Sequence, residues 1–271
     1  MHERTAGVTM LRCEDARAVA REDAVVREEP LEIRLGGAPL AVLMRTPGED
    51  EELALGFLVS ERVVRSTDDV VSVRHSPQLA DPDAEDNAIQ VVLAAGVEVD
   101  LDALRRNLYA SASCGICGKA TLDNVLREAP ALDDASRFPA AFFYDLPRRL
   151  AGEQPVFSRT GGLHAAALFD ADGSLLVARE DVGRHNAVDK VIGWALRRGR
   201  FPLGGHVLLV SGRISYEIAQ KALVARLPVV AAVSAPTSLA VDLAERSGMA
   251  LVGFLRGTTL NVYGRRERLV R

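Results

Sequence analysis

The second half of this chain alternates short apolar segments with longer amphipathic ones. After residue 160 the apolar segments have the length of strands, and the stretches between them repeat apolar side chains at the spacing of one helical face. The clearest helix is predicted in VGRHNAVDKVIGWALRRG, and the clearest strands lie in HVLLV and PVVAAVS. Strands separated by helices of this length are typical of βαβ units. The sequence therefore predicts an α/β fold with a parallel sheet.

The first 110 residues follow a different pattern. We expect residues 1–20 to form a flexible tail, because they are polar and terminal. The segments LEIRL and LAVLMR flank a GGAP turn and predict a β-hairpin, PGEDEELALGFLVSERVV predicts a helix, and VVSVRH and AIQVVLAA predict two strands. We therefore assign residues 21–110 to a β-rich N-terminal subdomain and residues 111–271 to an α/β core.

Charge and hydropathy exclude several classes of protein. A net charge of −4 and a pI near 5.8 give no electrostatic basis for binding nucleic acid or a membrane surface. The longest apolar runs fall far short of the roughly 20 residues that span a bilayer. The N-terminus has no apolar signal-peptide segment, so we expect a cytoplasmic protein. Three cysteines in such a compartment do not predict a disulfide framework.

Two strand-to-helix junctions have the composition of anion-binding sites. Ligands of open α/β sheets bind beyond the carboxyl ends of the strands, where helix N-termini offer free N–H groups and positive potential. Arg213 adds a guanidinium that suits a phosphate. The alternative is that Ser211 and Ser234 only cap the helices that follow. The candidate residues at the two junctions are Ser211, Gly212, Arg213, Ser234, Thr237 and Ser238.

Two further segments carry candidate ligand-binding residues. Gly161 and Gly162 permit close approach of the backbone to a ligand, although they also suit a tight turn into a strand. His164 follows them, and a buried structural histidine is the alternative there. In EDVGRHNAVDK, Arg184 and Asn186 suit a phosphate or a base edge, and a solvated helix end with local ion pairs is the alternative. Neither GxxxxGK[ST] nor GxGxxG occurs in the chain.

Cys114 and Cys117 lie in SASCGICGKA, which permits four interpretations. A zinc site requires about four ligands, and the chain has one CxxC pair. A dithiol oxidoreductase places its CxxC after a strand of a βαβ unit, which is not predicted here. Two inert buried cysteines are the third possibility. The residues favour the fourth, a carrier thiol: a helix predicted in KATLDNVLREA and the side chain of Lys119 favour the thiolate, and the glycines let the loop move.

Seven ordered blocks of this sequence resemble the FdhD family, the accessory sulfurtransferases of formate dehydrogenase. The resemblance covers roughly residues 20 to 265. The blocks are LALGFLVSE, SCGICG, TGGLHAA, EDVGRHNAVDKVIG, SGRISYEIAQKA, SAPTSLAVDLA and GFLRGTTLNVYG.

The resemblance implies a specific chemistry. Members of this family accept sulfur as a persulfide from a cysteine desulfurase and pass it to the molybdenum of bis-molybdopterin guanine dinucleotide, which is then inserted into formate dehydrogenase. Cys114 matches the family's persulfide cysteine, and Cys117 matches a second cysteine that assists or resolves the persulfide. The resemblance implies no metal site on the protein itself. A non-catalytic chaperone for the molybdenum cofactor and a CxxC thiol oxidoreductase are the alternatives.

The resemblance also implies a fold and a cofactor-binding stretch. The fold is a cytidine-deaminase-like α/β sandwich with a smaller N-terminal β-rich subdomain, and the protein is expected to form a homodimer. Deamination itself is disfavoured, because LHAA lacks the glutamate of the deaminase H-x-E motif. GDP is expected to act as a partial mimic of the cofactor. The cofactor-binding stretch corresponds to Phe254, Leu255, Arg256, Gly257, Thr258 and Thr259.

Overall fold

A computed structural model describes residues 3–15, 17–75, 86–102, 104–105 and 131–270. The cysteine segment, the helix predicted after it and most of the acidic loop before AIQVVLAA lie outside the described residues. The boundary expected at residues 110 and 111 lies there as well. Residues 101–102 and 104–105 are helical, in agreement with the helix predicted in DLDALRRNL.

Most of the elements predicted from the sequence are present. Within the described residues, 3-10 turns lie at Thr67–Asp69, Ala140–Phe143 and Arg266–Arg268. The helices are α1 (Asp50–Ser60), α2 (Leu146–Gly152), α3 (Pro155–Thr160), α4 (Arg184–Arg197), α5 (Tyr216–Val224) and α6 (Ser238–Ser247). The strands are β1 (Thr5–Glu14), β2 (Arg17–Val26), β3 (Glu29–Leu35), β4 (Ala38–Arg45), β5 (Val70–His75), β6 (Ala88–Leu93), β7 (Phe138–Pro139), β8 (His164–Phe169), β9 (Leu175–Asp181), β10 (Val207–Val210), β11 (Val229–Ala232), β12 (Ala250–Arg256), β13 (Thr259–Gly264) and β14 (Leu269–Val270).

The N-terminal segment forms a β-hairpin, so the prediction of a flexible tail over residues 1–20 is wrong. β1 and β2 pair antiparallel over their whole length, from Thr5 opposite Val26 to Glu14 opposite Arg17. Cross-strand contacts between polar side chains support the pairing, and the Thr9 hydroxyl donates to the Glu22 carboxylate at 2.7 Å. These polar side chains disguised the strand pattern in the sequence.

The next four strands form a sheet with the order β4-β3-β6-β5. β3 and β4 pair antiparallel, which confirms the predicted hairpin, whereas β3 and β6 pair parallel. Leu31, Ile33 and Leu35 alternate toward the buried face of this sheet. The sheet has no separate core, because these side chains join one hydrophobic cluster with α1 and α4.

The second sheet is mixed, with the order β13-β12-β11-β10-β8-β9. β10, β11 and β12 are parallel, in agreement with the predicted βαβ units. β8 and β13 run antiparallel to the central strands, and β9 pairs antiparallel with β8, so the sheet is mixed and not parallel throughout. Short turns join β8 to β9 and β12 to β13, and a tight turn permits only antiparallel pairing.

Both faces of the six-stranded sheet are buried. Leu208 and Val230 point to the side of α4, α5 and α6, whereas Leu209 and Ala231 point to a second cluster that includes Phe143. Two covered faces explain why the central strands are apolar without alternation.

Two glycines allow α1 and α4 to approach each other closely. A Cβ atom built on Gly56 would lie 1.7 Å from the carbonyl oxygen of Asp189, and one built on Gly193 would lie 1.8 Å from that of Glu52. Neither position has room for a methyl group, because the obstructing atoms belong to the backbone of the facing helix. These contacts fix the N-terminal sheet against the six-stranded sheet.

Replacement of Gly193 by alanine is therefore expected to destabilise the fold. Overpacking of a core typically lowers the free energy of unfolding by about 1–3 kcal/mol. We expect the upper end of this range, because the added methyl group would meet backbone atoms that cannot rotate away. Gly152→Ala is the matched control, because Gly152 is exposed at the end of α2 and its Cβ would meet nothing within 4 Å. Urea unfolding should show a lowered midpoint for Gly193→Ala and an equal or higher one for Gly152→Ala. Equal midpoints for Gly193→Ala and the parent chain would contradict the packing described.

Candidate functional site

Five loops meet at one edge of the six-stranded sheet, where β10, β11 and β12 end. β9 also ends at this edge, and β8 and β13 begin there, because His164 pairs with Asp181 and Arg256 pairs with Thr259. The loops contain every candidate ligand-binding residue predicted from the sequence apart from Asn186, which lies in the first turn of α4. They are residues 161–164, 182–184, 211–215, 233–238 and 254–259.

The loop after β10 is tied to the start of β8. The Ser211 hydroxyl accepts a hydrogen bond from the Ala165 amide, and the Ser211 amide donates to the Ala165 carbonyl, both at 2.9 Å. Ser211 is therefore not the cap of α5; that role belongs to Ser215, whose hydroxyl accepts from the Ile218 amide. A Cβ on Gly212 would lie 3.5 Å from His164 Nδ1, so this backbone approaches the imidazole closely.

The loop after β11 leads into α6. The sequence left open that Ser234 only caps this helix, which the structure does not show. Thr237, not Ser234, occupies the N-cap position, and its side chain makes no capping hydrogen bond. The Ile214 amide donates to the Ala235 carbonyl at 3.1 Å, and the Thr237 amide donates to the Ile214 carbonyl at 3.0 Å. The two junctions therefore form one continuous surface, with Ser238 exposed beside it.

The loop after β12 holds a strained residue against the same surface. The Phe254 amide donates to the Ser234 carbonyl at 3.0 Å, and Phe254 adopts a φ of 56°, which is uncommon for a residue other than glycine. Its ring is 37% exposed, whereas Leu255 is 2% exposed and packs in the core. Strain of this kind concentrates at functional sites. Arg256, Gly257, Thr258 and Thr259 form the exposed turn that follows.

The glycine pair before β8 has local structural partners. Gly161 adopts a φ of 66° and ends α3, which agrees with the alternative of a tight turn. A Cβ on Gly162 would lie 2.8 Å from a methyl carbon of Val26, so this glycine lets β2 of the N-terminal hairpin reach the site edge.

His164 is half-buried at the edge, beside a cationic helix start. Burial lowers the pKa of His164, and the charges of Arg184 and His185 lower it further. The imidazole is therefore held neutral at neutral pH and retains a nitrogen that accepts hydrogen bonds.

Sequence reasoning missed a close contact between His185 and Glu217 at this edge. His185 Nε2 lies 2.7 Å from a Glu217 carboxylate oxygen. The hydrogen bond from His185 is the largest cause that lowers the pKa of Glu217, so the carboxylate is ionised. The signal in the sequence was Glu217 itself. It lies in the first turn of α5, where an acidic side chain complements the helix dipole.

The side-chain nitrogen of Asn186 is taken up by contacts within the fold. It donates to the Met44 carbonyl at 2.8 Å and to the Asp181 carboxylate at 2.9 Å. Lys190 is fully buried, 2.8 Å from Asp181. Asn186 and Lys190 therefore join the two layers, so this part of the helix start is buried and not solvated.

The electrostatic character of the edge suits an anion. Arg213 and Arg256 are exposed, and neither has an acidic partner among the residues that the structure describes. Arg184 adds a third positive charge, and Glu217 contributes a carboxylate near it. Within the described ranges, no three His, Cys, Asp or Glu side chains are placed to hold a metal ion.

Cys114 and Cys117, the predicted catalytic pair, lie outside the described residues. Across the described part of the chain, no helix is both long and apolar enough to cross a membrane.

Comparison with known proteins identifies relatives across nearly the whole chain. It is 54% identical over 257 residues to the sulfur carrier protein FdhD of Mycolicibacterium paratuberculosis, covering 93% of this chain and 94% of that protein. It is 52% identical over 264 residues to the sulfur carrier protein FdhD of Streptomyces coelicolor, covering 96% and 94%.

The fold matches a crystal structure of a protein assigned as a formate dehydrogenase accessory protein from Desulfotalea psychrophila. The TM-score is 0.78 at 23% identity, and the match covers 99% of this chain and 100% of that one. This likeness confirms the mixed α/β architecture. The model of the FdhD/NarQ family matches residues 26–270. With this match and relatives above half identity, the chain belongs to the FdhD/NarQ family.

Proposed function

We propose that this protein is a sulfurtransferase in the maturation of formate dehydrogenase. It accepts persulfide sulfur from a cysteine desulfurase on Cys114 and transfers it to bis-molybdopterin guanine dinucleotide. The names of its relatives, sulfur carrier protein FdhD, support the role of sulfur carrier. The observation that carries the proposal is the convergence of five separate loops on one cationic sheet edge.

The substrate of the transfer is a large anion, and the edge suits its phosphates. Arg213 and Arg256 offer guanidinium groups without acidic partners in the described part of the chain, and Gly212 lets the backbone approach. The uncapped start of α6 at Thr237 presents amides to the same surface. GDP, which resembles each nucleotide tail of the cofactor, should bind here as a partial mimic.

We propose that His164 and Phe254 give this surface its specificity for the ligand. The neutral imidazole accepts a hydrogen bond from a ligand, and the exposed ring of Phe254 offers an apolar face for stacking. Leu255 and Asn186 support the site from within the fold and do not touch the ligand.

Loading of the carrier is an exchange of one S–S bond for another. The Cys114 thiolate attacks the terminal sulfur of the desulfurase persulfide, the donor S–S bond breaks, and the desulfurase cysteine leaves as a thiolate. The new bond joins Cys114 Sγ to the transferred sulfur. No net oxidation or reduction of the two proteins occurs in this step.

Release of sulfur at the level of sulfide requires two electrons, which Cys117 supplies. Its thiolate attacks Cys114 Sγ, the persulfide bond breaks, sulfide leaves for the molybdenum, and a Cys114–Cys117 disulfide forms. A cellular dithiol reductant then restores both thiols. The CxxC spacing suits this assignment, because it brings two thiols within reach of one disulfide.

The proposal includes the finer features expected from the family. These are a deaminase-like arrangement of the six-stranded sheet and its helices, a β-rich N-terminal subdomain, a homodimer and a cytoplasmic location. Two sheets joined by α1 and α4 support the division into a smaller and a larger part.

Mass spectrometry tests the carrier cysteine. After incubation with a cysteine desulfurase and cysteine, the chain should gain about 32 Da, the mass of one sulfur atom, because the activated thiolate accepts sulfane sulfur. Cys114→Ala should gain none. Cys13→Ala is the matched control and should gain the full adduct, because Cys13 is exposed on the N-terminal hairpin and is not part of the CxxC motif.

An equal adduct on Cys114→Ala and the parent chain would contradict the assignment. Activation of formate dehydrogenase by a Cys114→Ala, Cys117→Ala double variant would favour the alternative of a non-catalytic cofactor chaperone. A disulfide cycle with no adduct on any variant would favour the thiol oxidoreductase.

Calorimetry tests the ligand surface. Arg256→Ala should weaken GDP binding about tenfold, since a hydrogen bond to a charged group contributes about 1.5–3 kcal/mol. Arg246→Ala is the matched control, because Arg246 is also exposed but lies at the C-terminal end of α6, at the opposite sheet edge. Unchanged affinity for Arg256→Ala, or equal losses in both variants, would remove Arg256 from the site.

A further inference from the structure

Glu217 places a carboxylate at the site edge that the contacts proposed above leave unused. It lies in the first turn of α5, directly after the loop that follows β10. His185 Nε2 lies 2.7 Å from its Oε2 atom, and the side chain of Glu217 remains 21% exposed. Its other oxygen, Oε1, has no hydrogen-bond partner among the residues that the structure describes. The carboxylate is therefore fixed on one side and still able to accept hydrogen bonds.

Positively charged groups keep this carboxylate ionised. The contact with His185 is the largest cause that lowers the pKa of Glu217, and the charges of Arg184 and Lys221 lower it further. Lys221 does not occupy the carboxylate, because it donates to the two oxygens of Asp189 at 2.8 and 2.9 Å. At neutral pH both oxygens of Glu217 therefore accept hydrogen bonds and neither donates one.

An ionised carboxylate is unfavourable beside a surface that binds phosphates. Arg213, which is proposed to bind a phosphate, lies only four residues before Glu217 in the turn between β10 and α5. Because like charges repel, Glu217 opposes the binding of a diphosphate unless it contacts a part of the ligand that donates hydrogen bonds. In a nucleotide the donors are on the base and the ribose.

Guanine carries donors that match a carboxylate. The ring N1–H and the exocyclic N2–H₂ lie side by side on one edge of the base, so the two oxygens of one carboxylate can accept from both. Adenine presents an acceptor at its ring N1 atom, which a carboxylate repels. Stacking on the ring of Phe254 cannot make this distinction, because every base has a π-face.

We propose that Glu217 recognises the guanine base of the nucleotide by accepting hydrogen bonds from N1–H and N2–H₂. His185 is the positioning residue that fixes the orientation of this carboxylate. The inference rests on the proposed function, because it takes the site edge to bind a guanine nucleotide. It adds the residue that selects guanine over other bases.

Calorimetry with three nucleoside diphosphates tests this assignment. Inosine diphosphate lacks N2–H₂, and xanthosine diphosphate has a carbonyl oxygen in its place. The parent chain should bind GDP about tenfold more tightly than either analogue, because a hydrogen bond to a charged group is lost with each. Glu217→Gln should bind GDP about tenfold more weakly and xanthosine diphosphate about tenfold more tightly than the parent chain does, because the glutamine amide accepts from N1–H and donates to the xanthine oxygen.

The gain of affinity for xanthosine diphosphate separates recognition from damage to the fold. Glu245→Gln is the matched control, because Glu245 is exposed near the C-terminal end of α6, at the opposite sheet edge. It should keep the order of affinities of the parent chain.

Two results would overturn this inference while the proposed binding of GDP stands. One is a Glu217→Gln variant that keeps the parent chain's preference for GDP. The other is an equal loss of affinity for all three nucleotides in that variant, which would place Glu217 on the ribose. A parent chain that binds no GDP would overturn both this inference and the proposed nucleotide site.

Discussion

The buried pair of Lys190 and Asp181 determines how the two layers of this protein meet. Both side chains are inaccessible to solvent, and their charged atoms lie 2.8 Å apart. Burial of two charges is costly unless every polar atom finds a partner. Here Lys190 also donates to the Thr46 carbonyl, while Asp181 accepts from the Thr46 and Gly183 amides. The pair thereby joins the end of β4, the end of β9 and the start of α4.

The position of α4 in turn sets the chemistry of the site edge. Because its first turn is fixed by Asp181, Arg184 and His185 face the start of β8 and the first turn of α5. There they lower the pKa of His164 and hold Glu217 as a carboxylate. The loops after β10, β11 and β12 complete a surface with unpaired cationic groups in the described chain. The buried structural network and the exposed site edge therefore both involve the N-terminal half of α4.

The sequence predicted correctly those elements whose structure follows from a local pattern of apolar residues. The apolar spacing in α4 and the continuous apolar runs of β10 and β11 predicted those elements, and their order placed Ser211 and Ser234 at one edge. The pattern could not show that β8 runs antiparallel to the central strands and β9 parallel to them, because strand direction depends on how the chain closes. The structural hydrogen bond of Asn186 was missed for a related reason: its partner Met44 lies far away in the sequence, and only the folded chain brings the two together. The hairpin over Thr5–Val26 was missed because polar side chains concealed its alternation.

The central claim is that the carboxyl edge of the six-stranded sheet binds the nucleotide end of the sulfur acceptor. A crystal structure with GDP tests it most directly. We expect the diphosphate to lie against residues 211–213 and 254–259, with Arg213 or Arg256 donating hydrogen bonds to its oxygens. A nucleotide bound instead at the opposite edge, in the depression lined by Arg246, Arg265 and Arg266, would contradict it.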